Sequence, residues 1–271
     1  MKVDGIEYFN ETIHGLEVRF TEITTRAMAR HLGRPVGTYA AIHTGRLKDL
    51  GDWRPAANCL AECLGRLWAP WQGGRLLIAG LGDEGCIHNC LGPRVVRHIP
   101  RIAAFDTPCV FRSVSRLVPG TREQTDTSIG TVLSGMVQAV EANCVLLIDT
   151  ESTAQLEDVA AGVELSTGGL SSSGGGEILS PEILDVPILA ICVPLLLHIP
   201  PKTVNMLHLH VDREGVVLMD THIGKEVQTA ATVISRGIVQ ALYPERDLER
   251  LQGPVSPYPA GPDGGSFRPL A

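Results

Sequence analysis

The apolar run Cys144–Ile148 stops abruptly on a carboxylate, Asp149. A buried strand that runs into an acid presents a proton donor or acceptor at the carboxyl edge of a sheet, where α/β proteins gather reactive groups. The same Asp could instead cap a helix that follows. A second such run, Leu76–Ala79, leads into Gly80-Leu81-Gly82-Asp83-Glu84-Gly85, which formally matches G-x-G-x-x-G. The match is weak as a dinucleotide signature, because that fingerprint needs a helix to begin within the glycines and Gly92-Pro93 would interrupt it. Pro93–His98 reads instead as a helix that starts after the loop. The loop carries Asp83 and Asn89, together with Cys86, His88 and Cys90, whose spacing fits no usual zinc pattern. Ser166–Gly176 is a small-residue loop whose backbone N–H groups suit a phosphate, a peptide backbone or an oxyanion; a plain connector has the same composition. It lacks Gly-Lys-Ser/Thr and is no Walker loop. His208 and His210 share a strand face without a third ligand nearby.

The elements that position these residues follow from hydrophobic periodicity. Buried strands are predicted at Leu76–Ala79, Ile102–Phe105, Cys144–Ile148 and Ile188–Val193, the last leading through Pro194 into an apolar helix. Phe111–Val118 adds a strand, and Met206–Val211 with Val216–Met219 reads as a hairpin. Apolar residues at helical spacing predict helices over Asn58–Trp68, Ile129–Val140 and Val227–Leu242. The alternation implies a three-layer α/β fold with a mostly parallel or mixed central sheet and flanking helices. Cys59 and Cys63 fall on one apolar helical stripe, and Cys109, Cys144 and Cys192 in strands, as core thiols.

The chain has 271 residues, 44% of them hydrophobic, enough apolar mass for one sizeable core over residues 1–250. Residues 251–271 are rich in Gly and Pro and read as a disordered tail. A formal charge of −7 argues against nucleic acid as partner, since that binding rests on Lys and Arg releasing counterions. No uninterrupted apolar run has membrane-spanning length, and the first residues resemble no export signal. Seven cysteines without C-x-x-C pairs fit a reducing compartment, so a cytoplasmic setting is expected.

Taken in order, several segments resemble the germination protease family, spore endopeptidases that degrade small acid-soluble spore proteins. Gly33-Arg34-Pro35-Val36-Gly37-Thr38-Tyr39 is similar to that family's G-K-P-x-G-x-Y. Gly80-Leu81-Gly82 and Leu91-Gly92-Pro93 bracket its G-L-G-N…T-P-D-A-L-G-P loop. Pro119-Gly120 with Gln124-Thr125 resembles its P-G-V…Q-T-G, and Ile148-Asp149 its I-D-A-L-A. Leu165–Gly168 with Ser173, Gly174 and Gly176 resembles its D-T-G-I-x-P-G-S-G-V-G-N loop. Pro187–Pro194 and Val233–Pro244 resemble its P-V-I-A-I-G-V-P strand and closing helix.

The resemblance implies a phosphorylase/hydrolase-like fold and an oligomeric, aspartic-type endopeptidase of the spore cytoplasm without cofactor or metal. Its chemistry would need two carboxylates sharing a proton. The family's second Asp maps onto Asp149 and its first onto Asn89, an amide that cannot exchange that proton. Asp83 stands where the family has Asn and is a compensating partner for Asp149. Gly82, Gly120, Gln124, Thr167, Gly168, Ser173 and Gly174 fall on the motifs expected to line the peptide groove. Two alternatives stand beside turnover: an inactive homologue that binds peptides or regulates sporulation, and a metal-binding protein using Cys86, His88 and Cys90.

Overall fold

The computed structural model describes residues 2–3, 5–100, 108–171, 178–199 and 216–245. Among them, ten strands form one mixed sheet: β1 (Lys2–Val3), β2 (Ile6–Ile13), β3 (Leu16–Ile23), β4 (Gly37–His43), β5 (Arg75–Gly80), β6 (Ser113–Leu117), β7 (Cys144–Thr153), β8 (Gly162–Ser166), β11 (Ile188–Ile199) and β12 (Val216–Met219). Their order is β1-β2-β3-β4-β8-β11-β7-β5-β6, with β12 on the far end of β11. A separate two-stranded ribbon joins β9 (Leu170–Ser171) to β10 (Ile178–Leu179).

Only the β6-β5-β7-β11 half is parallel; β2, β3, β4 and β8 extend it antiparallel. The β2–β3 hairpin turns through His14 and Gly15, both at positive φ, a turn whose twist matches that of its strands. These antiparallel strands broaden the α/β fold that the alternating elements predict. The predicted strand at 102–105, the first arm of the hairpin at 206–211, His208, His210 and the tail at 251–271 lie outside the described residues. Val216–Met219 is a strand, paired to Leu196–Ile199.

Helices lie on both faces. The short α1 (Arg26–Leu32) links β3 to β4. The helices α2 (Arg54–Leu67), α3 (Leu91–His98) and α7 (Ile223–Leu242) cover one face; α5 (Ile129–Val140), with the short α6 (Pro181–Leu184), covers the parallel half of the other. Strand alternation sorts the side chains accordingly. Leu146, Ile148, Leu189, Ile191 and Val193 pack under α2, α3 and α7, while Val145, Leu147, Ile188, Ala190 and Cys192 face the α5 side. Cys59, Cys63 and Cys144 are buried core thiols as expected, and burial pushes Cys144 up to about 12. Among the described residues no helix is long and apolar enough to cross a membrane.

One expectation is corrected at Pro194. β11 does not give way to a helix but runs on to Ile199. A proline cannot donate to the ladder, and here the register shifts between Pro194 and Leu196, a bulge that carries it within a long strand. Its carbonyl accepts the Ala160 N–H at 2.6 Å.

A buried acid sits in the first turn of α7. Glu226 is fully buried, and neither carboxylate oxygen has a hydrogen-bond partner among the described residues. Burial, then nearby Asp220, raise its pKa, against the pull of Arg46, Lys48 and His222. The folded state therefore holds a proton that the unfolded chain has lost, and stability falls as pH rises between the two values. Glu226→Gln should be more stable than wild type at pH 8 and no more stable at pH 4, as read by denaturant titration at both pH values.

Candidate active site

The site begins with a step in the sheet. β5 ends at Gly80, which pairs with Ile148, so Asp149 is the first residue of β7 that β5 no longer flanks. On its other side β7 stays paired, with Asp149 opposite Cys192 of β11. The strand continues to Thr153, so Asp149 caps no helix and sits inside the ladder. It lies on the α5 side of the sheet with only 6% of its surface exposed. Its Oδ1 accepts the Thr150 N–H at 2.7 Å. Burial raises its pKa from 3.8 to about 7; the Thr150 N–H offsets part of this and the charge of Glu151 adds to it. A carboxyl so placed can both hold and release a proton near neutral pH.

The loop after β5 folds back over this step. Leu81 N–H donates to Ile148 O at 2.8 Å, and Asp83 N–H to Asn89 O at 2.8 Å. Gly92, at the start of α3, packs so closely that a Cβ there would lie 2.4 Å from Leu81 N and 2.5 Å from Ile148 O. A Cβ on Gly80 would lie 2.1 Å from Gly92 O, and one on Gly82, at φ +115°, 1.9 Å from Asn89 O. The glycines are thus required for close backbone approach. A 3-10 turn over Ile87–Asn89 packs against β7 and α7.

Gly82, Asp83 and Asn89 thus fall in one loop that follows β5 and is tied to the end of β7 through the Leu81 N–H bond to Ile148 O. Asp83 is engaged within that loop, where its Oδ1 accepts the Gly85 N–H at 2.9 Å. Gly120 and Gln124 follow β6, at the same carboxyl edge two strands from β7. Gln124 Oε1 accepts the Thr121 N–H at 3.1 Å and caps α4 (Arg122–Thr125), and Gly120 turns at φ +79° to let it do so. Thr167 and Gly168 fall elsewhere. They follow β8, which runs antiparallel to β11 and leads away from Asp149. There Thr167 Oγ1 accepts the Thr38 N–H at 2.9 Å, and Gly168 packs on Pro35 and Tyr39. Ser173 and Gly174 lie outside the described residues.

The three soft ligands do not converge. Cys86 Sγ lies 3.3 Å from the His88 ring nitrogens, whereas Cys90 is buried and its Sγ donates to Ile87 O at 3.3 Å. Among the described residues no three His, Cys, Asp or Glu side chains are grouped to hold a metal ion.

Beyond α5 and α6 the same face of the sheet is open. It forms a cavity of about 420 Å³ lined by Arg34, Tyr39, Glu151, Asp158, Glu164 and Pro194, among others. The Arg34 guanidinium pairs with Glu164 and lies 4.5 Å from the Tyr39 ring centroid. Glu151, Glu164 and Arg34 escape a reading that ends the strand at Asp149. The available signal was period two: once β7 runs past Asp149, Glu151 must share its face.

A family model described as germination protease matches residues 1–249. The germination protease of Caldanaerobacter subterraneus subsp. tengcongensis is 29% identical over 205 residues, 71% of this chain and 63% of that protein. That of Clostridium perfringens (strain ATCC 13124) is 24% identical over 206 residues, with the same shares, and that of Priestia megaterium 24% identical over 232 residues, 79% and 62%. The chain thus spans somewhat under two thirds of the length of these relatives. Among solved structures, a [NiFe] hydrogenase maturation protease from Thermococcus kodakarensis matches with a TM-score of 0.38 and 13% identity, covering 65% of this chain and 99% of that one.

Proposed function

Since the chain belongs to the germination protease family, we propose that it is an endopeptidase in which Asp149 is the proton-exchanging group of an aspartic-type site. The observation that carries this reading is the seat of Asp149: buried, one residue beyond the end of β5, and with its pKa raised to about 7. Water attack on a peptide carbonyl needs a group that accepts a proton at neutral pH and returns it to the leaving amine. An exposed Asp would be too weak a base; burial supplies the difference.

In this reading the Gly82–Asn89 loop walls the crevice opposite Asp149, Asp83 holds that loop in shape, and Asn89 offers an amide to the substrate. Gly120 and Gln124 extend the wall along the same edge. Small acid-soluble spore proteins, in the cytoplasm of the developing spore, are the substrate class that the resemblance to this family implies. A second copy of the chain is the expected partner, with neither nucleic acid nor membrane involved. Incubating the purified chain with a small acid-soluble spore protein should give discrete fragments by mass spectrometry.

Asn89 favours a second reading, a peptide-binding homologue without turnover, because an amide occupies the position where the family pattern has an acid. Assaying Asn89→Asp beside wild type separates the two. Cleavage by the variant alone supports the inactive homologue; cleavage by wild type supports the endopeptidase.

A further inference from the structure

We propose that Glu151 is the second carboxylate of the hydrolytic site, set beside Asp149 on one face of β7 and opening onto the cavity that receives the peptide. The inference rests on the endopeptidase reading and names the group which that reading leaves unassigned. It starts from strand geometry. Residues i and i+2 of a strand point the same way, with Cα atoms about 7 Å apart, so two carboxyl groups so placed can flank one water molecule. β7 continues through Glu151 in register with Pro194 of β11, which keeps both side chains on one face of the sheet.

The two acids are placed differently. Asp149 is almost wholly buried, whereas Glu151 is only partly buried and lines the 420 Å³ cavity, where a peptide can reach it. Glu151 is also the charge that bears on Asp149. Asp83 is occupied within its own loop by the Gly85 N–H.

Around the pair, β11 contributes Cys192, in line with Asp149 on one side and Glu164 of β8 on the other. Glu164 is committed to Arg34, which stacks on Tyr39 of β4. Arg19, His43 and Asp158 complete the charged or titratable lining of the cavity. Glu151 is raised by burial and by Glu164 and held down by Arg34. Asp149 and Glu151 are therefore both shifted toward the protonated form, and the pair holds one proton over a range in which isolated acids would hold none.

The reaction balances on that one proton. The ionised member takes a proton from water as the water oxygen bonds to the peptide carbonyl carbon. The protonated member gives its proton to the amide nitrogen as the C–N bond breaks. Water is consumed, a carboxylic acid and an amine leave, and the pair again holds one proton.

The test compares wild type, Glu151→Gln, Glu151→Asp, Asp149→Asn and Asn89→Asp on a small acid-soluble spore protein as probe, with pH profiles and melting curves. Glu151→Gln should lower kcat/KM by about 10²–10³-fold and remove one limb of the pH profile while melting no lower than wild type, and Glu151→Asp should recover part of the rate. Independently of activity, the titration midpoint of Asp149, followed by carboxyl NMR, should fall in Glu151→Gln because a like charge is gone. If Glu151→Gln keeps the wild-type rate and both limbs while Asp149→Asn is dead, Glu151 is not the partner and the endopeptidase reading stands. Cleavage by Asn89→Asp but not by wild type also overturns the inference. Full activity in Asp149→Asn overturns the reading beneath it.

Discussion

Asp149→Asn should abolish peptide-bond cleavage, lowering kcat/KM by at least about 10³-fold, and should at the same time make the protein more stable at neutral pH. The two effects have one origin. The amide keeps an oxygen to accept the Thr150 N–H, so the local backbone loses nothing. It cannot carry the proton. Folding raises the carboxyl from 3.8 to about 7, so the native state binds a proton that the unfolded chain has released over that interval. Wild-type stability therefore falls as pH climbs from about 4 to about 7, by up to about 4 kcal/mol, and the Asn variant is spared that fall. Denaturant titration at pH 4 and pH 8, beside the cleavage assay, checks both halves. A variant that is inactive and less stable at pH 8 would mark Asp149 as a packing residue; one that is inactive and more stable marks a site strained for function.

Gly92→Ala should damage both the fold and the site. The added methyl would lie 2.4–2.5 Å from backbone atoms of Leu81 and Ile148, which cannot swing aside as a flexible side chain would. Either α3 lifts from the sheet or the loop after β5 is pushed away. Overpacking of this kind costs about 3 kcal/mol, roughly 6–12 °C in Tm for a chain of this size, and cleavage should fall with it because the crevice wall moves. Thermal unfolding with the cleavage assay reads both. Gly65→Ala, a half-buried position within α2 where a Cβ meets nothing within 4 Å, is the matched control and should not destabilise the chain.

How much was legible beforehand divides along a physical line. Helices and parallel strands announce themselves through apolar periodicity, and Ile129–Val140 matches its predicted bounds. The edge of the sheet does not. The hairpin Ile6–Ile13 and Leu16–Ile23 mixes charges into both strands, because one of its faces is solvated, and its alternation is correspondingly faint. β11 is misjudged at Pro194 because a proline normally ends a central strand, and only the bulge next to it lets the ladder continue.

The site divides in the same way. Asp149 stands out because an apolar run stops on it, and the loop from Gly80 to Gly92 through its glycines. Glu151 is hidden by the same apolar run: once that run is taken as the whole strand, Thr150 and Glu151 read as loop, and the second acid on the same face goes unseen. Arg34 and Glu164 are 130 residues apart, and nothing local announces that they will pair across the cavity. Gly120 and Gln124 illustrate the converse, motif residues whose observed contacts are with each other and with Thr121.

Asp149 can serve as the proton-exchanging group only if it still titrates near neutral pH, and the most direct test is its site-resolved carboxyl titration by NMR in the wild-type chain. The expected midpoint is near 7. A midpoint at the ordinary carboxylate value of 3.8 would mean an Asp permanently ionised at neutral pH, and would contradict the role given to it.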